Sequence, residues 1–247
     1  MPTNETGHYK NITALEKMIV KATALGTAYN PVKATIKLTP LQTLLTTAKA
    51  DHAAVSTSAT PFNNAVNDRA FIYQNYKSYA TQLLAAFKSS SDASSEKIKD
   101  LTAINRKIQG TRASVATTLP VDPNAPVPET ISSSQQSYEM KSDHFNKFYD
   151  LIASEASYAP NEVDLKLPAI LAYKNSLQAA NTAVNTAFEA VNNARIKRDK
   201  TLYHPKTGVH AIQLLVKEYV KGTFKANSIQ SKQMSGIRFT KPRIIFI

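Results

Sequence analysis

The five histidines, His8, His52, His144, His204 and His210, are the side chains best suited to metal binding or proton transfer in this 247-residue sequence. None falls in a His-x-x-x-His pair or follows Glu at the spacing a zinc-binding helix uses. The chain has no cysteine, which excludes thiolate metal sites, iron–sulfur clusters, cysteine nucleophiles and disulfides. Asp51 beside His52 offers an acid–imidazole pair within a predicted helix. The run from His204 to Gly208 reads as a turn whose backbone N–H groups can hold an anion. Glu162 and Asp164 lie in a predicted loop, and Asp51 and Asp68 have no acidic partner at helical spacing, so paired-carboxylate chemistry finds no candidate. There is no Gly-x-Ser-x-Gly elbow, and only six glycines, which argues against a phosphate loop or a dinucleotide fold. The expectation is a non-enzymatic protein with no catalytic residues, no metal and no cofactor.

Cations are the second kind of chemistry. Arg195, Lys197, Arg198 and Lys200 follow an Asn-Asn-Ala run, and Arg69 follows an earlier copy of that run. Arg238, Lys241 and Arg243 interleave with Phe239 and Phe246, a pattern suited to phosphate contact and base stacking. Together these eight cations form the candidate polyanion-binding set. The same C-terminal segment carries Phe239, Pro242, Ile244, Ile245, Phe246 and Ile247, an apolar tail that would aggregate or dock if left in water. Charge is uneven: residues 1–112 hold 14 basic and 7 acidic groups, residues 113–194 hold 4 and 9, and residues 195–247 hold 12 and 2. A basic end and an acidic middle fit either a polyanion partner or head-to-tail self-association.

The elements that must position these residues repeat along the chain. Tyr29–Arg69 aligns without a gap against Tyr158–Arg198, with 12 of 41 pairs identical. The pairs Tyr29/Tyr158, Pro31/Pro160 and Lys37/Lys166 recur in register. Leu41, Ala48, Val55 and Phe62 are spaced by seven, as are Ile170, Leu177, Val184 and Val191, which gives each copy a long helix with a heptad seam. Pro61 should kink or break the first of these helices. Apolar steps of three and four predict flanking helices through Leu15–Ala22, Tyr76–Phe87, Ile98–Ile108, Phe145–Ile152 and Ile212–Phe224. The expected fold is all-α: two pseudo-repeated, bundle-like units around long antiparallel helices, joined by a Pro-rich linker. Its expected domains are residues 1–113, a linker at 114–136, a second unit at 137–236 and a tail at 237–247.

No run approaches a membrane span, and no targeting segment is recognisable, so the expected location is cytoplasmic. The Met-Pro-Thr-Asn-x-Thr-Gly-His start, the Tyr-Ala-Pro-Asn-Glu-x-Asp-Leu-Lys stretch at 158–166 and Asn193-Ala-Arg-Ile196 resemble an uncharacterised family of cytoplasmic helical proteins from Bacteroidota. That resemblance implies a bacterial cytoplasmic setting and carries over no functional residue. Sticky tail, opposed charge blocks and weakly charged helices together point to a structural protein that self-assembles into a filament or tube. The alternative is a basic polyanion- or nucleic-acid-binding protein, so the expected partners are further copies of the chain or nucleic acid.

Overall fold

The computed structural model describes residues 5–110 and 136–240. Their regular structure is entirely helical, with eight α-helices and no strand among the described residues. These are α1 (Glu5–Ala24), α2 (Leu38–Ile72), α3 (Tyr76–Ser89), α4 (Ser95–Gln109), α5 (Tyr138–Ala153), α6 (Leu167–Tyr203), α7 (Val209–Phe224) and α8 (Ile229–Ser235). Three of the shorter helices begin on a serine. Ser94, Ser137 and Ser228 each accept from the backbone N–H three residues on, satisfying a donor that the first helical turn leaves unpaired. Gly110 ends α4 at φ 74°, a left-handed conformation that a side chain would strain.

The two long helices start in the same way. A 3-10 turn at Ala34–Ile36 precedes α2, and the Tyr29 hydroxyl donates to the Ile36 carbonyl at 2.6 Å. A 3-10 turn at Val163–Leu165 precedes α6, and the Tyr158 hydroxyl donates to the Leu165 carbonyl at 2.7 Å. Burial raises both phenols to about 12, so both stay protonated donors at neutral pH. The heptad seams turn inward as their spacing requires. Leu41, Ala48 and Val55 are buried on α2, and Ile170, Leu177, Val184 and Val191 on α6.

Two expectations are revised. Pro61 does not break α2, which continues from Leu38 to Ile72. Proline removes one backbone donor, yet the helix continues through it, and the next residue, Phe62, makes a ring contact with Phe188 at 5.9 Å. The compact units also differ from the boundaries read along the sequence. One unit is residues 1–63 with 187–247, and the other is residues 64–186. Each therefore takes elements from both halves of the chain, and both unit boundaries fall inside long helices, one in α2 and one in α6. Of the expected linker at 114–136, all but Gln136 lies outside the described residues.

Within the first unit, the start of α2 runs antiparallel to the end of α6, as Asp51 opposite Thr201 and Phe62 opposite Phe188 require. Its core joins Leu15 and Met18 of α1 to Leu41, Leu202, Val216 and Met234. In the second unit, Tyr76 and Phe87 of α3 pack with Leu101 of α4, Phe145 and Phe148 of α5, and Leu177 of α6.

Candidate nucleic-acid interface

The regrouping of the chain concentrates its charge. Residues 1–63 and 187–247 hold 18 basic and 6 acidic side chains, whereas residues 64–186 hold 12 of each. The whole net charge of +12 therefore belongs to the first unit, and the second is neutral. Eight of the nine acidic residues of 113–194 fall in the unit whose net charge is zero.

The first unit gathers part of this charge in a groove of about 700 Å³ between α1, α8 and the segment that follows α8. Helix periodicity explains the α1 wall. Ile12, Ala14, Leu15, Met18, Ile19 and Ala22 are buried, which leaves Tyr9, Lys10, Thr13, Lys17 and Lys21 on an adjoining stripe. Lys232, Gln233, Gly236, Ile237, Arg238 and Thr240 form the opposite wall. Among the described residues, five cations line the groove and no carboxylate does. None of the five lies within ion-pairing distance of an acidic group among the described residues. Across the groove, Lys21 Nζ donates to Gln233 Oε1 at 3.3 Å.

A buried polar network fixes the far wall. The Asn11 amide donates to the Thr240 carbonyl at 2.7 Å and accepts from the Thr240 N–H at 2.7 Å, so one side chain grips both backbone groups of that residue. Asn11 also donates to the Tyr203 hydroxyl at 3.1 Å, and that hydroxyl is hydrogen-bonded to His8 Nδ1 at 2.8 Å. Burial lifts Tyr203 to about 12, which keeps it a donor. Further along the wall, Lys217 donates to the Ile237 carbonyl at 2.7 Å and lies 5.4 Å above the Phe239 ring. The described part of the tail is accordingly packed on its own chain, with Phe239 against the first unit's core.

The eight cations singled out by sequence are dispersed. Arg238 lines the groove. Arg198 is 3% exposed and donates from Nε to Asp199 at 3.0 Å. Lys197 pairs with the buried Asp51 at 3.1 Å and lines, with Lys200, a separate cavity of about 720 Å³ walled by Thr39, Thr43, Thr47 and Thr201. Arg195 is half-buried on α6. Arg69, in the second unit, stacks its guanidinium 4.0 Å over Tyr138. Lys241 and Arg243 lie outside the described residues, as do Pro242, Ile244, Ile245, Phe246 and Ile247. The α1 lysines were missed because one or two cations per turn beside an apolar stripe is how any surface helix reads. Their signal is the spacing of Lys10, Lys17 and Lys21, which puts three cations on one face.

The histidines take separate surroundings. Asp51 and His52 do not pair: Asp51 turns inward to Thr201 Oγ1 at 2.7 Å, while the His52 ring lies 5.6 Å from Tyr9. Adjacent helical residues diverge by about 100°, so one faces the core as the other faces the rim. The turn at 204–208 receives its own side chain: the Thr207 hydroxyl is 2.9 Å from His204 Nδ1, and the Lys206 and Thr207 N–H groups point at the same nitrogen. These backbone donors are therefore turned to His204 rather than to an external anion. Burial lowers the pKa of His144. No three potential metal ligands cluster among the described residues, and no described helix is long and apolar enough to cross a membrane. No known protein family, curated protein or solved structure matches this chain.

Proposed function

We propose that this is a non-enzymatic helical protein whose basic unit binds nucleic acid through the groove between α1 and α8. The observation that carries the reading is the location of the charge. A net +12 in one unit beside a neutral one is unnecessary for folding, because the neutral unit builds a comparable helical core without it. Self-repulsion makes such an excess costly, and a phosphate backbone relieves it by releasing counterions as the cations are neutralised. Among its described residues the groove supplies five cations and no carboxylate to compete for them. The test is affinity for a labelled oligonucleotide measured against salt. A steep fall with ionic strength is expected; weak binding that ignores salt would overturn the reading.

Internal duplication belongs to the same proposal. The tyrosine-latched turn, the helix start at Leu38 and Leu167 and the buried Val55 and Val184 all recur in one register, which supports descent of the two halves from one ancestral segment.

Self-assembly is the second reading. The observation in its favour is the grip of Asn11 on Thr240, which anchors the chain immediately before the apolar run Ile244–Ile247. A light-scattering mass well above that of a monomer, returning to monomer when residues 244–247 are deleted, is the expected outcome. A monomer at all concentrations would overturn it.

A further inference from the structure

We infer that the groove takes a single strand, with an unpaired base stacked on Tyr9 while Lys10, Lys17, Lys21, Lys232 and Arg238 track the phosphates; this rests on the nucleic-acid reading above. Tyr9 sits on the groove wall with 59% of its surface exposed, beside the cations rather than in the core. Its ring is backed by His52 from α2, at 5.6 Å between centroids and 35° between planes. An aromatic face presented beside a row of cations is the arrangement that holds single strands, since every base has a π-face and a flexible backbone can follow a concave wall.

The corresponding place in the second unit gives an internal comparison. In the register that aligns Tyr29 with Tyr158, Tyr138 is the counterpart of Tyr9. There the ring is covered: Arg69 lies 4.0 Å above it and Lys141 Nζ 5.2 Å from it. Tyr73 closes against it edge-on at 4.8 Å. Arg198 is the counterpart of Arg69, but it is drawn instead to Asp199, a carboxylate at the position that Ala70 holds in the earlier copy. The counterpart of the arginine that covers Tyr138 is thus paired with Asp199, and Tyr9 is exposed. A duplex cannot use this face without unstacking, because its bases are already stacked on one another.

The test uses the full chain, a labelled oligothymidylate of about 15 nucleotides, a duplex of equal length, and heparin as a polyanion without bases. Tyr9→Ala is expected to weaken oligothymidylate binding by ~5- to 100-fold, the range of one lost base stack, and to leave heparin binding within about two-fold. Tyr9→Phe keeps the ring and should keep the affinity. The chain contains no tryptophan, so Tyr9→Trp supplies a single reporter. Its emission should be quenched by oligothymidylate and not by heparin. Equal losses on both probes in Tyr9→Ala, or an unquenched Trp reporter at saturation, would overturn the stacking. Duplex bound as tightly as oligothymidylate would overturn the single-strand preference. Wild-type protein that binds neither oligothymidylate nor heparin would overturn the nucleic-acid reading and the stacking together.

Discussion

Replacing Lys17 and Lys21 by Gln should change the slope of nucleic-acid binding against salt, not merely its strength. If all five groove cations meet phosphates, log K for a single strand should fall against log salt with a slope of about −3.5. Affinity would then drop by roughly 100-fold between about 50 and 200 mM salt. Losing two contacts takes the slope to about −2.1 and costs ~25-fold at about 100 mM, or about 2 kcal/mol. Extrapolated to about 1 M salt the two lines should meet, because the counterion-release contribution vanishes there. The assay is fluorescence anisotropy of a labelled oligothymidylate titrated at several salt concentrations. Lys88→Gln with Lys99→Gln is the control, since it removes the same charge from exposed positions in the neutral unit. The groove argument is refuted if the two double variants lose affinity alike, which would mean bulk charge is responsible. It is equally refuted if the Lys17 and Lys21 variant gives a line parallel to wild type.

The chain cut between Gly110 and Gln136 should behave as two interdependent fragments, because each compact unit draws on both halves. Separately expressed halves are expected to be unfolded by circular dichroism and to fold as a one-to-one complex when mixed; two independently folded halves would contradict the division. Asn11→Leu removes the grip on Thr240 and leaves the Tyr203 hydroxyl without that donor, at an expected cost of ~1–3 kcal/mol in a denaturant titration. It should also weaken oligonucleotide binding by loosening the far wall of the groove. Acid should destabilise the protein in two windows. Ser157 and Lys97 hold Glu155 at about 2, below its ordinary 4.5, so its contribution is present above pH 4.5 and lost as pH falls towards 2. His144 is held neutral by burial, with its pKa lowered from 6.5, so the unfolded state takes up the proton first and stability declines below about pH 6.5. His144→Gln should flatten the upper window alone in urea titrations across pH; an unchanged profile would show that His144 does not contribute.

The class of fold was written in local spacing. Seven-residue repeats of Leu41, Ala48 and Val55 and of Ile170, Leu177 and Val184 specify long helices whatever surrounds them, because about 3.6 residues per turn puts those side chains on one face. Serine caps, Gly110 and the two Tyr-x-Pro entries mark where helices start and stop, and these too are decided by neighbours close in sequence. Local logic alone also allowed Pro61 to break α2, but the helix runs through it from Leu38 to Ile72. The grouping of helices into units was not legible, because the sequence does not record which half of a long helix packs with which. That choice placed eight of the nine acidic residues of 113–194 in a balanced unit and left +12 in the other. It also decided which cations remain available. Arg198 and Lys197 looked like the strongest cluster in sequence, yet Asp199 and Asp51 engage them. Lys10, Lys17 and Lys21, near the start of the chain, are joined instead by Lys232 and Arg238 from near its end. Periodicity determines what each helix buries; only the pairing of distant segments determines which charges are left to meet a ligand.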